Sequence, residues 1–148
     1  MDADQKTKLV ALLSQQHLGV LITLGDTWPT GTMQSFAEND ALDLIFIMNG
    51  GAEKFQNLSK RPHVTVVVDN RDVGDIPKFQ VARVSIQGIA SEIPRGSADW
   101  DAAKAVFLKK NPFEAPFFSG GDALRIVRIK PKRVSYAGPA HDVFKTEM

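Results

Sequence analysis

Hydrophobic and polar positions alternate with different periods along the chain, and each change of period predicts a new element. Three leucines at helical spacing follow Asp2, a residue type that caps helices, so the chain is predicted to open with a helix that ends near Gly19. Three runs of β-forming residues follow, separated by turn-forming residues, at positions 20–24, 32–37 and 42–48. The beginning of the chain is therefore predicted to form one helix and a three-stranded meander.

The rest of the chain predicts two more helices and three more strands. Residues 52–60 place apolar side chains on one helical face and stop before Pro62, and another helix is predicted from a cap at Ser97 to Asn111. The further strands are predicted at residues 63–68, 79–93 and 124–136. Gly88, inside the second of these strands, predicts a bulge or a close approach. The remaining segments are predicted to be a loop at 69–78, a packed aromatic loop at 112–121 and a tail at 137–148.

These elements predict one mainly β (α+β) domain that covers residues 1–148. About six short antiparallel strands joined by turns, with a helix between the third and the fourth, predict a small closed or partly closed β-barrel with flanking helices. The pattern alone leaves two architectures open. One is an OB-fold, which shares this strand order, and the other is a six-stranded split barrel.

Composition narrows the class of protein more than it narrows the function. The 148 residues include 18 Lys+Arg and 17 Asp+Glu, and 43% are hydrophobic, as in an ordinary soluble domain. The near-neutral charge argues against binding nucleic acid or acidic lipid by bulk electrostatics alone, and the apolar runs are too short to span a bilayer. There is no cysteine, and residues 1–8 do not resemble a signal peptide, so a cytoplasmic protein is predicted.

Two local patterns could bind a ligand. Gly50 and Gly51 lead into a helix that carries Lys54, and glycines, helix N–H groups and a lysine together could hold a phosphate. On an earlier strand, Thr32 and Gln34 carry polar groups that could hydrogen-bond a planar heterocycle. Each pattern also has an ordinary structural interpretation: a glycine turn followed by a surface lysine, and a strand with one wet face. The local residues alone favour that interpretation.

A basic series near the C-terminus could contact a nucleic-acid backbone, although such a series is more often a solvated strand face. Its members are Arg125, Arg128, Lys130, Lys132 and Arg133. His17, His63 and His141 do not have metal-ligand spacing, and no hydrolase or nucleotide-triphosphate motif is present. Neither a metal site nor a catalytic side chain is therefore predicted.

A longer pattern runs through the middle of the chain. After the segment LDLIFIMN, a lysine precedes an Asn-Leu pair, a proline and a β-branched strand in the spacing Lys54-x-x-Asn57-Leu58-x-x-x-Pro62-x-Val64. Over most of residues 18–136 the chain resembles the pyridoxamine 5′-phosphate oxidase-like family, the FMN-binding split barrels. The later segments 84–88 and 128–134 are similar to the fifth and closing strands of that family.

This resemblance implies a homodimer that binds FMN at the subunit interface and uses it as an oxidoreductase on an unknown small molecule. Lys54 would pair with the FMN phosphate, residues 32–35 would border the ring and the ribityl chain, and Ile47 and Met48 would contact the cofactor at the end of the third strand. Arg83 falls where the oxidases place a flavin-contacting glutamine. The cofactor-binding residues that the resemblance implies are Thr32, Met33, Gln34, Ser35, Ile47, Met48, Lys54 and Arg83.

Three departures from the classical oxidases change this expectation. Thr32 stands where they have an arginine for the FMN phosphate, Ala37 where they have a lysine for the substrate phosphate, and Ala52-Glu53 replaces a Ser-Arg pair. Oxidation of vitamin B6 is therefore not expected. The chain is more similar to short members of the general-stress-protein type.

Two other functions stay open at this point. The first is a non-catalytic module that holds a flavin, a deazaflavin or haem, for which His141 would be the tempting ligand. The second is an OB-fold nucleic-acid binder that would use the basic series. The aromatic loop 112–121 could line a substrate pocket, but core packing is the preferred expectation for it.

Overall fold

The structure is a computed structural model, and it describes residues 1–77 and 80–148. The helices are α1 (Ala3–Ser14), α2 (Glu53–Lys60) and α3 (Ala98–Lys110). The strands are β1 (Leu18–Leu24), β2 (Pro29–Ser35), β3 (Ala37–Glu38), β4 (Leu44–Asn49), β5 (His63–Asp69), β6 (Arg83–Ile93), β7 (Leu124–Ala137) and β8 (Val143–Glu147). Two 3₁₀ helices connect them, Pro112–Ser119, called here the aromatic segment, and Pro139–His141.

All of these strands form one antiparallel sheet in the order β2-β1-β5-β6-β7-β4-β3, and β8 pairs with the second half of β7. The sheet curls strongly, because β2 at one end of this order also approaches β4 near the other end. The mainly β, antiparallel split barrel with flanking helices is thereby confirmed. Its strand number is not, since the described residues contain eight strands rather than six.

The extra strands have two physical causes. The predicted strand 32–37 divides at Phe36, whose fully buried side chain turns into the barrel while its N–H donates to the carbonyl of His17 at 3.1 Å. The predicted tail 137–148 instead folds back as β8. Phe144 stacks on Tyr136 with 4.9 Å between ring centroids, and Asp142 pairs with Lys8 of α1 at 2.9 Å.

Other predicted boundaries also move. α1 begins with a capping box between Asp2 and Gln5, but it ends at Ser14 rather than near Gly19. Gly19 lies inside β1, where it pairs with Gln34 of β2, and an added Cβ would come within 3.2 Å of Cγ2 of Val68. The strand predicted at 79–93 begins at Arg83. Lys78, the last residue of the predicted loop, and Phe79, the first residue of the predicted strand, lie outside the described residues.

The bulge predicted at Gly88 is confirmed. The register between β6 and β7 shifts between Gln87 and Gly88, so that Gly88 lies opposite Pro131. A Cβ at Gly88 would come within 2.6 Å of the Lys130 carbonyl oxygen. The glycine therefore lets β7 continue as one strand past its internal proline.

Two hydrophobic cores lie on the two sides of β4. Phe46 and Met48 point into the barrel, whereas Ile45 and Ile47 point outward to the layer formed by α3. Burial on both sides explains why this strand is an almost continuous apolar run instead of an alternating one. The end of β4 is thus held firmly where it leads into α2, the region that carries the predicted phosphate site.

Candidate functional site

The inward side of β2 carries two polar residues that the barrel does not satisfy. Thr32 lies opposite Leu21 and Gln34 lies opposite Gly19, so both side chains share the face of β1 that is buried. The Thr32 hydroxyl and both amide atoms of Gln34 are buried, and none has a hydrogen-bond partner in the described part of the chain. Because such a buried group costs about 1–3 kcal/mol, these atoms indicate a polar partner from outside the chain.

The N-terminus of α2 has free hydrogen-bond donors. Its N-cap residue is Ala52, which makes no side-chain cap, so the N–H groups of the first turn have no acceptor within the helix. Lys54, in that turn, is half-buried, and desolvation lowers the pKa of its ammonium group. Among residues 1–77 and 80–148, no carboxylate lies within 4.0 Å of its Nζ. The helix N–H groups and Lys54 therefore favour an anion, against the opposing charge of Glu53 in the same turn.

Side-chain contacts place this helix against the start of β2. The hydroxyl of Thr30 donates to a carboxylate oxygen of Glu53 at 3.5 Å, and the buried amide of Asn57 donates to the hydroxyl of Thr23 at 3.1 Å. Thr32 and Gln34 follow Thr30 on the same face of the strand, at roughly 7 and 14 Å along it. The structure thus places the N-terminus of α2, which carries Lys54, beside the start of the strand whose inner face carries Thr32 and Gln34.

The glycine pair before α2 serves the turn itself. The N–H of Gly50 donates to the carbonyl of Ala123 at 2.8 Å, and the N–H of Gly51 donates to Oδ1 of Asn49 at 2.7 Å. Neither glycine amide is left for a ligand. The phosphate donors that remain from the sequence pattern are the helix N–H groups and Lys54.

The other predicted residues of β2 lie elsewhere. Met33 is 58% exposed on the outer face of the sheet, and Ser35 is buried at the end of the strand. Met33 lines a cavity of about 280 Å³ together with Gln16, whose Nε2 is buried without a partner in the described chain. No local pattern identifies Gln16, because nothing in the neighbouring residues shows that this glutamine is buried, with 6% exposure.

Ile47 and Met48 lie on opposite sides of β4, in the outer layer and in the barrel core respectively. Both also line a cavity of about 400 Å³ beside the aromatic segment. Arg83 is exposed on the outer face at the start of β6, three strands away from β2, or about 14 Å at the usual strand spacing. One chain therefore does not bring Arg83 to the same place as Lys54.

The aromatic segment only partly follows the expectation of core packing. Phe118 packs against Phe107 of α3, with ring centroids 6.4 Å apart. Phe113 and Phe117 are instead 64% and 61% exposed. The prediction of core packing is therefore wrong for Phe113 and Phe117. The segment forms a 3₁₀ helix with prolines at 112 and 116 and turns only one of its phenylalanines, Phe118, inward.

The basic series is largely neutralised by acidic neighbours. Arg125 pairs with Glu92 at 3.1 Å, Arg133 with Glu147 at 2.9 Å, and Arg128 lies 3.8 Å from Asp43. These pairs give the series the character of a solvated strand face. No group of three or more metal-ligating side chains occurs within the residues that the structure describes.

A family model described as pyridoxamine 5′-phosphate oxidase matches residues 5–138. The chain belongs to this family. The resemblance carried by the Lys54 pattern is thereby confirmed, and the OB-fold alternative is wrong. A search of curated protein sequences found no significant match. No helix in the described ranges is both long and apolar enough to cross a membrane.

Solved structures of similar fold bind different cofactors. A haem-binding protein from Mycobacterium smegmatis is 18% identical, with a TM-score of 0.82 over 99% of this chain and 58% of that chain. The haem storage protein HutZ from Vibrio cholerae is 18% identical, with a TM-score of 0.72 over 89% of this chain and 92% of that one. An FAD-binding protein from Mesorhizobium loti is 20% identical, with a TM-score of 0.70 over 92% of this chain and 94% of that one. At these identities the likeness shows the fold, and this family member spans just over half of the mycobacterial protein.

Proposed function

We propose that the protein is a cytoplasmic flavoprotein that binds FMN between two copies of the chain and uses it as an oxidoreductase. The observation that carries this proposal is the set of buried, unpartnered polar atoms on Thr32 and Gln34 beside the uncapped N-terminus of α2. Membership of the pyridoxamine 5′-phosphate oxidase family and the FAD-binding relative support a flavin as the missing partner.

The residues along β2 fit the two chemical ends of FMN. Lys54 and the first-turn N–H groups of α2 would hold the phosphate, which would supply the counter-charge that this half-buried ammonium lacks. The Thr32 hydroxyl can donate and accept, and the Gln34 amide offers both functions to a polar heterocycle. The bound flavin would supply the redox chemistry, while the chain binds it, orients it and shields it from water.

A second copy of the chain is needed to use the remaining predicted residues. Met33 and Arg83 face outward on the sheet, with Arg83 about three strand spacings from β2. The same face exposes the apolar side chains of Leu18 and Leu24, at 51% and 43%. Packing two such faces together would cover this apolar surface and bring Arg83 of one subunit towards β2 of the other. We therefore propose a homodimer with the cofactor at its interface.

The first test is the visible absorption spectrum of the purified protein, followed by titration with FMN. We expect flavin bands at isolation, or FMN uptake at micromolar concentration with quenching of flavin fluorescence. Reduction of the bound flavin by NADH or NADPH and its reoxidation would support an oxidoreductase over a storage module. A protein that neither carries nor takes up FMN would falsify the flavin proposal.

Haem is the second candidate, favoured by a specific cavity. About 600 Å³ of space on the outer face is lined by apolar residues, with Arg83 and Lys145 as its two cationic side chains. An apolar macrocycle with two carboxylates would match this arrangement. His141, exposed two residues before the cavity residue Val143, could supply an iron ligand. A Soret band that forms on haem addition and weakens in His141→Ala would favour this candidate, whereas flavin bands alone would remove it.

A further inference from the structure

The cavity beside the aromatic segment has an apolar wall that the chain itself does not cover. Its volume is about 400 Å³, and its lining includes Ile47, Leu124, Pro116 and Phe117. Phe117 lines it although 61% of this residue remains exposed. Apolar space of this size, open at one side and bordered by an aromatic ring, is typical of small-molecule sites.

The geometry of the aromatic segment keeps this cavity open. Phe118 anchors the segment to α3 through Phe107, and Lys104 lies 5.1 Å from the centre of the Phe118 ring. Pro112 and Pro116 fix backbone torsions on either side of Glu114. Phe118 therefore faces α3, while its neighbour Phe117 borders the cavity.

The charge of the cavity selects among ligands. Glu114 is the charged side chain among the lining residues that the structure describes, and it is half-buried. Within the described ranges no cation lies within 4.0 Å of its carboxylate. Two arginines lie against the Leu124 side of the cavity, and both are engaged: Arg125 pairs with Glu92 at 3.1 Å, and Arg95 donates to the Leu124 carbonyl at 2.6 Å. A carboxylate at the edge of an apolar cavity favours a cation or an N–H donor and disfavours an anion.

We propose that this cavity binds a planar apolar molecule that carries a positive charge or an N–H donor. Met48 and Asn49 connect it to the turn before Lys54, the phosphate end of the proposed flavin site, so the molecule would lie beside the cofactor and not against its ring. Binding of such a molecule does not itself need the flavin. The two proposals can therefore fail separately.

The test measures binding of three flat two-ring probes to the full chain, with and without FMN. The probes are a cation, 1-methylquinolinium, a neutral ring, quinoline, and an anion, 1-naphthoate. Calorimetry measures the binding of each. We expect the cation to bind more tightly than the neutral ring and the anion to bind least. Phe117→Ala should weaken binding of the cation roughly two- to tenfold, which is the usual contribution of an aromatic contact. Glu114→Gln should lower the preference for the cation by about two- to fivefold and leave quinoline unchanged.

Phe113→Ala is the matched control, because Phe113 is equally exposed on the same segment but does not line the cavity. Phe117→Leu keeps apolar bulk without the ring and guards against a folding defect in the alanine variant. Equal binding of all three probes, or equal losses in Phe113→Ala and Phe117→Ala, would overturn this proposal. Charge-selective probe binding in a chain that never binds FMN would instead overturn the flavin proposal and leave only a cation-binding cavity.

Discussion

Two regions of the molecule bury polar side chains, and they treat them in opposite ways. At the end of α3, Asn111 is fully buried, and its amide donates to the carbonyl of Phe36 at 2.9 Å while its Oδ1 lies 3.1 Å from Nδ1 of His17. On β2, Thr32 and Gln34 bury polar atoms without any partner in the described chain. The first region is complete as folded, whereas the second lacks a partner, so only the second has the character of a binding site.

Two half-buried lysines repeat this difference. Burial lowers the pKa of both Lys54 and Lys110. Lys110, however, pairs with Glu38, donates to the carbonyl of Leu13 at 2.8 Å and lies 4.0 Å from the centre of the Phe36 ring. Lys54 has no such partner in the described residues, so its desolvation is offset only if an anion binds. Incomplete polar contacts, rather than burial, therefore distinguish the candidate site from the rest of the molecule.

The largest expected effect is on folding stability. Asn111→Leu should lower the free energy of unfolding by about 3 kcal/mol, because the Phe36 carbonyl would lose its partner while remaining buried and the exposed His17 ring would lose its hydrogen bond. Gln34→Met, which keeps volume but removes an unpartnered amide, should cost less than about 1 kcal/mol in the absence of FMN. Urea denaturation of both variants measures the difference. Equal losses would break the comparison between the two regions.

The next effect is on cofactor affinity. Lys54→Ala should weaken FMN binding by about 1.5–3 kcal/mol, the usual contribution of a hydrogen bond to a charged group. Lys60→Ala is the matched control, since Lys60 is exposed at the other end of the same helix. Fluorescence titration of both variants with FMN, and with riboflavin as the phosphate-free ligand, gives the measurement. Similar losses in the two variants, or an undiminished loss with riboflavin, would place the phosphate elsewhere.

Smaller effects on stability, of opposite sign, are expected when two threonines are replaced by valine. Thr23→Val removes the acceptor of Asn57 and should destabilise the protein by about 1 kcal/mol. Thr32→Val removes a buried hydroxyl without a partner and should leave the FMN-free protein equally stable or more stable by up to about 1 kcal/mol, while FMN binding weakens. Thermal unfolding with and without FMN compares them. A buried water on Thr32, rather than a ligand, would be indicated by destabilisation without any change in FMN affinity.

The barrel could be predicted from sequence because its signals are local. Alternating apolar positions, turn residues and the cap at Asp2 define most elements, and the two-sided burial of β4 is visible as the run LDLIFIM. The elements that were missed depend on distant partners. β8 forms because Phe144 meets Tyr136 and Asp142 meets Lys8, and neither contact leaves a pattern in residues 137–148.

The candidate site was predictable to a smaller extent, for a related reason. Spacing identified Lys54 and the polar strand, and register then placed Thr32 and Gln34 on the inner face. Sequence could not show that the Gly50 amide is used by Ala123, since that hydrogen bond joins residues far apart in the chain. It also could not separate Phe117 from Phe118, which are neighbours on opposite sides of a 3₁₀ helix.

The smallest expected effect is a pH dependence that isolates Lys54. Because desolvation lowers the pKa of this lysine in the folded state, the folded protein binds fewer protons than the unfolded chain between that lowered value and the ordinary lysine pKa of 10.5. Stability should therefore rise with pH across that interval and lose this gain as the pH falls through the folded-state pKa. Lys54→Met should remove this part of the alkaline rise, and the variant keeps the contribution of Lys110, which has the same sign, and that of Tyr136, whose pKa burial raises and which therefore acts in the opposite direction. Saturating FMN should remove the same part of the rise in stability with pH in the wild type, since a phosphate beside the ammonium group favours its charged form. A rise that is identical in wild type, variant and FMN-loaded protein would show that Lys54 has the solvation of an ordinary surface lysine.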